Sequence, residues 1–122
     1  RKITEKKNPV YTVFGCGGNR DKLKRPVMGK IATELSDNVI VTSDNPRNEN
    51  PSTIIEEIRS GITKDNYQVV EDREAAIEEA IKKSGKNSVI LIAGKGHEDY
   101  QEIGGVRHHF SDREVAKKVL GI

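Results

Sequence analysis

Tryptophan is absent and aromatic residues make up only 4% of the chain, so few side chains can stack on single-stranded nucleic acid or anchor a large protein interface. Cys16 stands alone, which excludes an internal disulfide and fits a reducing cytoplasm. No apolar run is long enough for a signal sequence or a membrane span. Neither charge sign dominates. The 21 basic and 19 acidic residues are interspersed for a net charge of +2, apart from a basic opening and a cluster from Arg20 to Lys30; a broad nucleic-acid surface is therefore not expected. What remains is a chain of 122 residues with 34% hydrophobic content, enough for one domain that buries roughly two thirds of its unfolded surface.

Apolar, β-branched runs alternate with amphipathic stretches. Val10 to Phe14, Val39 onward, Tyr67 to Val70 and Val89 to Ala93 read as strands. Between them lie three helices. One has Pro26 in its first turn and Val27, Met28, Ile31, Ala32 and Leu35 on one face. The second is capped by Asn50 before Pro51 and the third by Asp72, with Ala76, Ile77, Ala80 and Ile81 inward. Four strands alternating with such helices imply an α/β fold, a Rossmann-like, doubly wound and mainly parallel sheet. A C-terminal β-hairpin follows, Tyr100 to Ile103 and Val106 to Phe110 around Gly104-Gly105, and then a helix opened by the capping box Ser111-x-x-Glu114. Residues 1–9 read as the last turn of a helix stopped by Asn8-Pro9, and residues 10–122 as one unit. No Met precedes Arg1, and the expectation is a domain cut from a longer polypeptide.

Three strands run directly into polar loops: Gly15-Cys16-Gly17-Gly18-Asn19-Arg20-Asp21, Asp44-Asn45-Pro46-Arg47 and Gly94-Lys95-Gly96-His97-Glu98-Asp99. In a parallel sheet all three crowd the carboxyl edge, where open α/β sheets bind ligands. The first loop fails the G-x-G-x-x-G dinucleotide pattern at Arg20, and Gly94-Lys95-Gly96 lacks the spacing and the Ser/Thr of a phosphate loop. Gln101 occupies the place of the second histidine in an H-E-x-x-H site; no metal site is expected, and His108 and His109 read as surface residues. Each loop also has a plain reading as a turn. Arg20 and Arg47, however, present planar forks suited to a carboxylate or phosphate, and Asn45 offers both a donor and an acceptor. Glu98 suits an ammonium group or, alternatively, an internal ion pair with a neighbouring cation. Cys16 has no evident histidine partner and reads as a small strand-end residue rather than a nucleophile.

Read together, VFGCGGNRDKLKRPVMG, VTSDNPRNENP and LIAGKGHEDYQ closely resemble the C-terminal domain of the Mur ligases, best of all the branch that adds the third peptide residue to UDP-N-acetylmuramoyl-L-alanyl-D-glutamate in peptidoglycan synthesis. The likeness covers nearly the whole chain, the closing SDRE helix included. It implies a domain that receives the incoming amino acid in a three-domain, ATP-dependent ligase working through an acyl phosphate. In the branch using meso-diaminopimelate a D-N-P-R motif contacts the distal carboxylate, and Asp44, Asn45, Pro46 and Arg47 match it letter for letter. By the same resemblance Arg20, Gly94 and Glu98 are amino-acid contacts, and Asn19, Lys24, Lys95 and His97 are further candidates on the same loops. No catalytic residue is expected here. The family's D-Y-A-H-x-P-D segment, which serves the nucleotide site, is not in this chain, so ATP and Mg2+ are expected to bind mainly outside it, and the UDP-N-acetylmuramoyl dipeptide likewise. A free-standing, non-catalytic amino-acid or anion-binding module is the competing expectation. Neither reading involves nucleic acid or a membrane.

Overall fold

The computed structural model describes residues 8–85, 87–94 and 98–122. The helical turn expected at the start of the chain falls on residues 1–7, outside the described residues, as do Lys95 and His97. Among the described residues, β1 (Val10–Phe14), β2 (Asn38–Val41), β3 (Tyr67–Val69) and β4 (Val89–Ile92) form one sheet in the order β3-β2-β1-β4, every pair parallel. The helices are α1 (Lys24–Leu35), α2 (Pro51–Arg59), α3 (Arg73–Lys83) and α4 (Asp112–Leu120).

Because successive strand residues point to opposite faces, the sheet has two cores. Phe14, Val39 and Val41 pack with Ile54, Ile55 and Ile58 of α2, while Val13 and Ile40 pack with Ala76, Ile77 and Ala80 of α3 and Val115 of α4. Helices thus cover both faces, as a parallel sheet requires. The expected caps are present. Asn50 accepts from the amide of Ser52 at 2.8 Å with Pro51 at the first helical position, Asp72 accepts from Ala75 at 2.9 Å, and Ser111 accepts from Glu114 at 3.3 Å. The hairpin β5 (Tyr100–Ile103) and β6 (Val106–His109) turns through Gly104 and Gly105, both at positive φ, as a two-residue primed turn demands. His108 and His109 lie on its exposed strand.

Helix α1 departs from its sequence reading. Its apolar stripe was expected inward, yet Val27, Met28, Ile31 and Leu35 are between 43% and 54% exposed, and the residues it buries are Arg25, Gly29 and Thr33. Gly29 explains the rotation: a Cβ there would stand 2.4 Å from the carbonyl oxygen of Ile58. The smallest side chain therefore lets α1 and α2 approach backbone to backbone. The stripe instead borders an apolar groove of about 270 Å3 with Phe14, Leu91 and Ala93.

Gly29→Ala is expected to lower stability by about 1–3 kcal/mol, the usual range for overpacking. The alanine's better helix propensity, about 1 kcal/mol, offsets only part of it. A fall in the denaturant midpoint at unchanged m-value would show it. Cys16 is buried beside Met28, and loss of hydration pushes its thiol up to about 11. At pH 8 a thiol reagent should therefore react about a hundredfold more slowly with the native protein than with the denatured chain; equal rates would contradict the buried placement.

Candidate functional site

The chain leaves β1 outward to β2 and β3, then crosses back to β4 on the other side of β1. The switch point of the sheet therefore lies between the ends of β1 and β4, where such folds open a crevice. A cavity of about 390 Å3 sits there, lined by residues that include Gly15, Gly17, Arg20, Asp21, Lys24, Asp44 and Gly94. A larger cavity, about 620 Å3, lies at the opposite edge among Glu34, Asp37 and residues 63–66. It collects no convergent cations and no strand C-terminus.

Two loops interlock at the crevice. The amide of Gly18 donates to the carbonyl of Asn45 at 2.7 Å, and Nη1 of Arg47 donates to the carbonyl of Gly18 at 3.1 Å. A Cβ on Gly18 would meet the carbonyl oxygen of Pro46 at 1.8 Å, so only glycine lets the loops touch. Gly17 is bracketed in the same way: its missing Cβ would lie 2.8 Å from Nη1 of Arg47 and 3.5 Å from Cγ of Arg20. The two arginines therefore flank one glycine from separate loops. Arg20 is exposed and makes no hydrogen bond or ion pair with any described residue, while Arg47 holds positive φ (54°) and leaves Nη2 without a partner among them. Left-handed backbone at a non-glycine residue is costly. The hairpin holds it. The amide of Arg47 donates to the carbonyl of Glu102 at 2.9 Å, its carbonyl accepts from Gly104 at 2.6 Å, and Nε lies 3.7 Å from Oε1 of Glu102.

Asn45 is 2% exposed. Its Oδ1 accepts from the amide of Glu102 at 2.9 Å and its Nδ2 donates to Oε1 of Glu98 at 3.4 Å. Glu98 forms no ion pair with Arg20 or Arg47, and Lys95, the third cation weighed from the sequence, lies outside the described residues; the Glu98 carboxylate is half-exposed next to the asparagine. Asp44 is buried, its carbonyl accepts from Nε2 of Gln101 at 2.7 Å, and Gly94, at φ 117°, closes over its carboxylate. Pro46 is fully buried and serves as the floor against which Gly18 rests.

Arg20, Asp44, Asn45, Pro46, Arg47, Gly94 and Glu98 are thus brought to one edge, with Lys24 on the cavity wall and Asn19 exposed beside Arg20. Sequence reading missed four contributors. Gln101 and Glu102 hold the D-N-P-R turn through the hairpin, and Arg25 with Glu49 ties the first loop to the second. A predicted hairpin directly after the third loop was the available signal for the first two; nothing in the spacing pairs residue 25 with residue 49.

The family "Mur ligase, glutamate ligase domain" matches residues 1–96. Similar curated proteins include the UDP-N-acetylmuramoyl-L-alanyl-D-glutamate--2,6-diaminopimelate ligases of Clostridioides difficile, 57% identical over 113 residues, and of Chlorobaculum tepidum, 54% identical over 114 residues. They cover 91% and 93% of this chain but only 23% and 22% of their own length. A solved structure of a ligase of that name superposes with a TM-score of 0.92 at 40% identity, over 98% of this chain and 26% of that one. The chain thus spans about a quarter of the length of the relatives it matches. Matched over most of its residues and half identical to its relatives across nearly all of its length, it belongs to the Mur ligase family, as a glutamate ligase domain.

Proposed function

We propose that this domain binds meso-diaminopimelate, the incoming amino acid, for an ATP-dependent ligase that joins it to UDP-N-acetylmuramoyl-L-alanyl-D-glutamate. The observation that carries this reading is the pair of arginines flanking Gly17, the guanidinium of Arg47 with Nη2 free and the side chain of Arg20 making no hydrogen bond or ion pair among the described residues. Two arginines with donors to spare on either side of one glycine suit a carboxylate. The Glu98 carboxylate, held by Asn45 and not neutralised by any described cation, suits an adjacent ammonium. An amino-acid end carries both groups. Diaminopimelate has such an end to be held while its other amine stays free to attack, and the names of the relatives point to the same compound. Asp44, Pro46 and Gly94 shape the turn around that end, Asn19 and Lys24 are secondary contacts beside Arg20, and Lys95 and His97, outside the described residues, are candidates from the sequence alone.

The nucleotide is a poor fit to these loops. The amides of the glycine-rich turn that could cradle a phosphate are already engaged, Gly18 with Asn45 and Asn19 with Glu49, and no cluster of three metal-ligating side chains occurs among the described residues. ATP, Mg2+ and the UDP-linked dipeptide are assigned to other parts of the longer enzyme, and so is activation of the acceptor carboxylate. With nucleotide-linked substrates, the reaction belongs in the cytoplasm. This domain orients the amine, which raises the effective concentration of the nucleophile. The purified 122-residue chain should accordingly show no magnesium-dependent ATP turnover; measurable phosphate release would overturn the assignment.

Selectivity gives the sharper test, carried out in the full-length ligase. Lysine lacks the distal carboxylate and would leave Arg47 facing an unfilled polar site, a mismatch that rejects analogues by up to about four or five decades. Arg47→Ala should cost about 2–5 kcal/mol in kcat/KM for diaminopimelate, the range for truncating one partner of a buried charge pair. Arg47→Lys should recover only part, because an ammonium cannot reproduce the fork, and use of lysine should change far less. Wild-type kcat/KM for diaminopimelate in the alanine variant would refute the role of Arg47.

A further inference from the structure

A third arginine borders the same cavity but spends its donors on the protein. Arg25, in the first turn of α1, is 1% exposed. Its Nη1 donates to Oε1 of Glu49 at 3.1 Å and to Oε1 of Glu57 at 2.8 Å; its Nη2 donates to Oε2 of Glu49 at 3.1 Å and to the carbonyl of Gly17 at 2.9 Å. The pair is bidentate, the strong form of this contact. Oε2 of Glu49 also accepts the amide of Asn19. One carboxylate on the second loop therefore fastens both the base of the first loop, through Arg25, and the residue immediately before Arg20.

That residue is under strain. Asn19 holds φ 55° in the left-handed region, outside any helix or strand, a conformation less favourable than negative φ even for asparagine, and the Glu49 contact to its amide helps to fix the turn that carries Arg20. Hydrogen bonds from Arg25 and Asn19 hold the Glu49 carboxyl down at about 2, so it stays ionised, and the restraint stays engaged, throughout the pH range in which enzymes of this kind work. Glu57 approaches Arg25 from α2 and makes no contact with the loop, which separates packing of the helix from control of the turn.

We propose that Glu49 is a positioning residue for the amino-acid site: by holding Asn19 in its left-handed turn and Arg25 under Gly17, it aims Arg20 at the carboxylate position that Arg47 approaches from the other side. This rests on the amino-acid reading given above. Glu49 touches neither the ligand nor the reacting atoms, so its effect falls on capture of diaminopimelate rather than on the chemical step.

The test uses steady-state kinetics of the full-length ligase. Glu49→Gln, whose one carbonyl oxygen can replace Oε2 but whose amide nitrogen then faces Nη1 of Arg25 with the counter-charge gone, should raise KM for diaminopimelate about tenfold to a hundredfold, the scale of an ångström-sized misplacement. Its kcat and its KM for ATP and for the UDP-linked dipeptide should stay within about threefold, since those sites are untouched. Glu57→Gln should leave all of these values near wild type. In an Arg20→Ala background Glu49→Gln should add less than about twofold, because residues acting through one another are not additive. Where the glutamine variant does not accumulate as folded protein, Glu49→Asp keeps the counter-charge of Arg25 and gives the same readout. An unchanged KM in the folded variant, or an effect equally large in the Arg20→Ala background, overturns the proposal. An Arg20→Ala variant with wild-type KM for diaminopimelate would instead strike at the amino-acid reading itself.

Discussion

Arg73 enters the first turn of α3 with none of its side chain exposed, and every polar edge of its guanidinium is engaged. Nε and Nη2 donate to the two carboxylate oxygens of Asp112 at 2.8 Å each, Nη1 donates to the carbonyl of Ser43 at 3.1 Å, and Nη2 also to that of Ala93 at 3.1 Å. Withdrawing two charges from water costs several kcal/mol per ion, and only good geometry with the remaining donors satisfied makes up for it. Here both conditions hold. The contact joins the ends of β2 and β4 and the start of α4 at one point, directly under Asp44 and Gly94. The carboxyl edge of the sheet is therefore braced from below by a buried charge, and the loops above it can be short and irregular without drifting apart.

Helix α1 and α2 carry the corresponding brace on the other face. Arg25 and Arg73 are the two largest fully buried side chains among the described residues, and each pins loops rather than filling a hydrophobic core. This division suits a binding domain: apolar residues hold the layers together, while the buried guanidiniums fix where strands end. Directional, short-range bonds locate a backbone carbonyl to a fraction of an ångström, which non-directional apolar burial does not do.

Much of this was legible from the sequence. Strand positions, three of the four helix caps, the hairpin with its glycine turn and the convergence of three loops followed from local signals, namely β-branched runs, Asn50-Pro51, Asp72, Ser111-x-x-Glu114 and Gly104-Gly105. The misses share a physical cause. Whether the apolar stripe of α1 faces inward depends on how near α2 can come, which Gly29 decides by lacking an atom. A helical wheel weights the side chains present and is blind to the one that is absent. The partnership of Arg25 with Glu49, 24 residues away, depends on which strands are neighbours, and in a chain rich in both charges almost any basic residue could claim almost any acid. Nor did the sequence show that Asn45 would share its acceptor with the amide of Glu102 and its donor with Glu98, since both partners come from a loop more than fifty residues on.

The hairpin presents its two ends to different fates. Its strand β5 is read by the D-N-P-R turn residue by residue, the side chain of Gln101 by Asp44, the backbone of Glu102 by Asn45 and Arg47, and the amide of Gly104 by Arg47, whereas the rest of the tip, Gly105 and Val106, reaches into solvent. Descendants of this sequence are thus free to lengthen, shorten or recolour the tip beyond Gly104. A single residue inserted between Asp99 and Glu102 would turn every side chain of β5 to its opposite face and offer Asn45 the wrong amide. Lineages of this domain should vary in hairpin length while keeping the distance from the third loop to β5 constant.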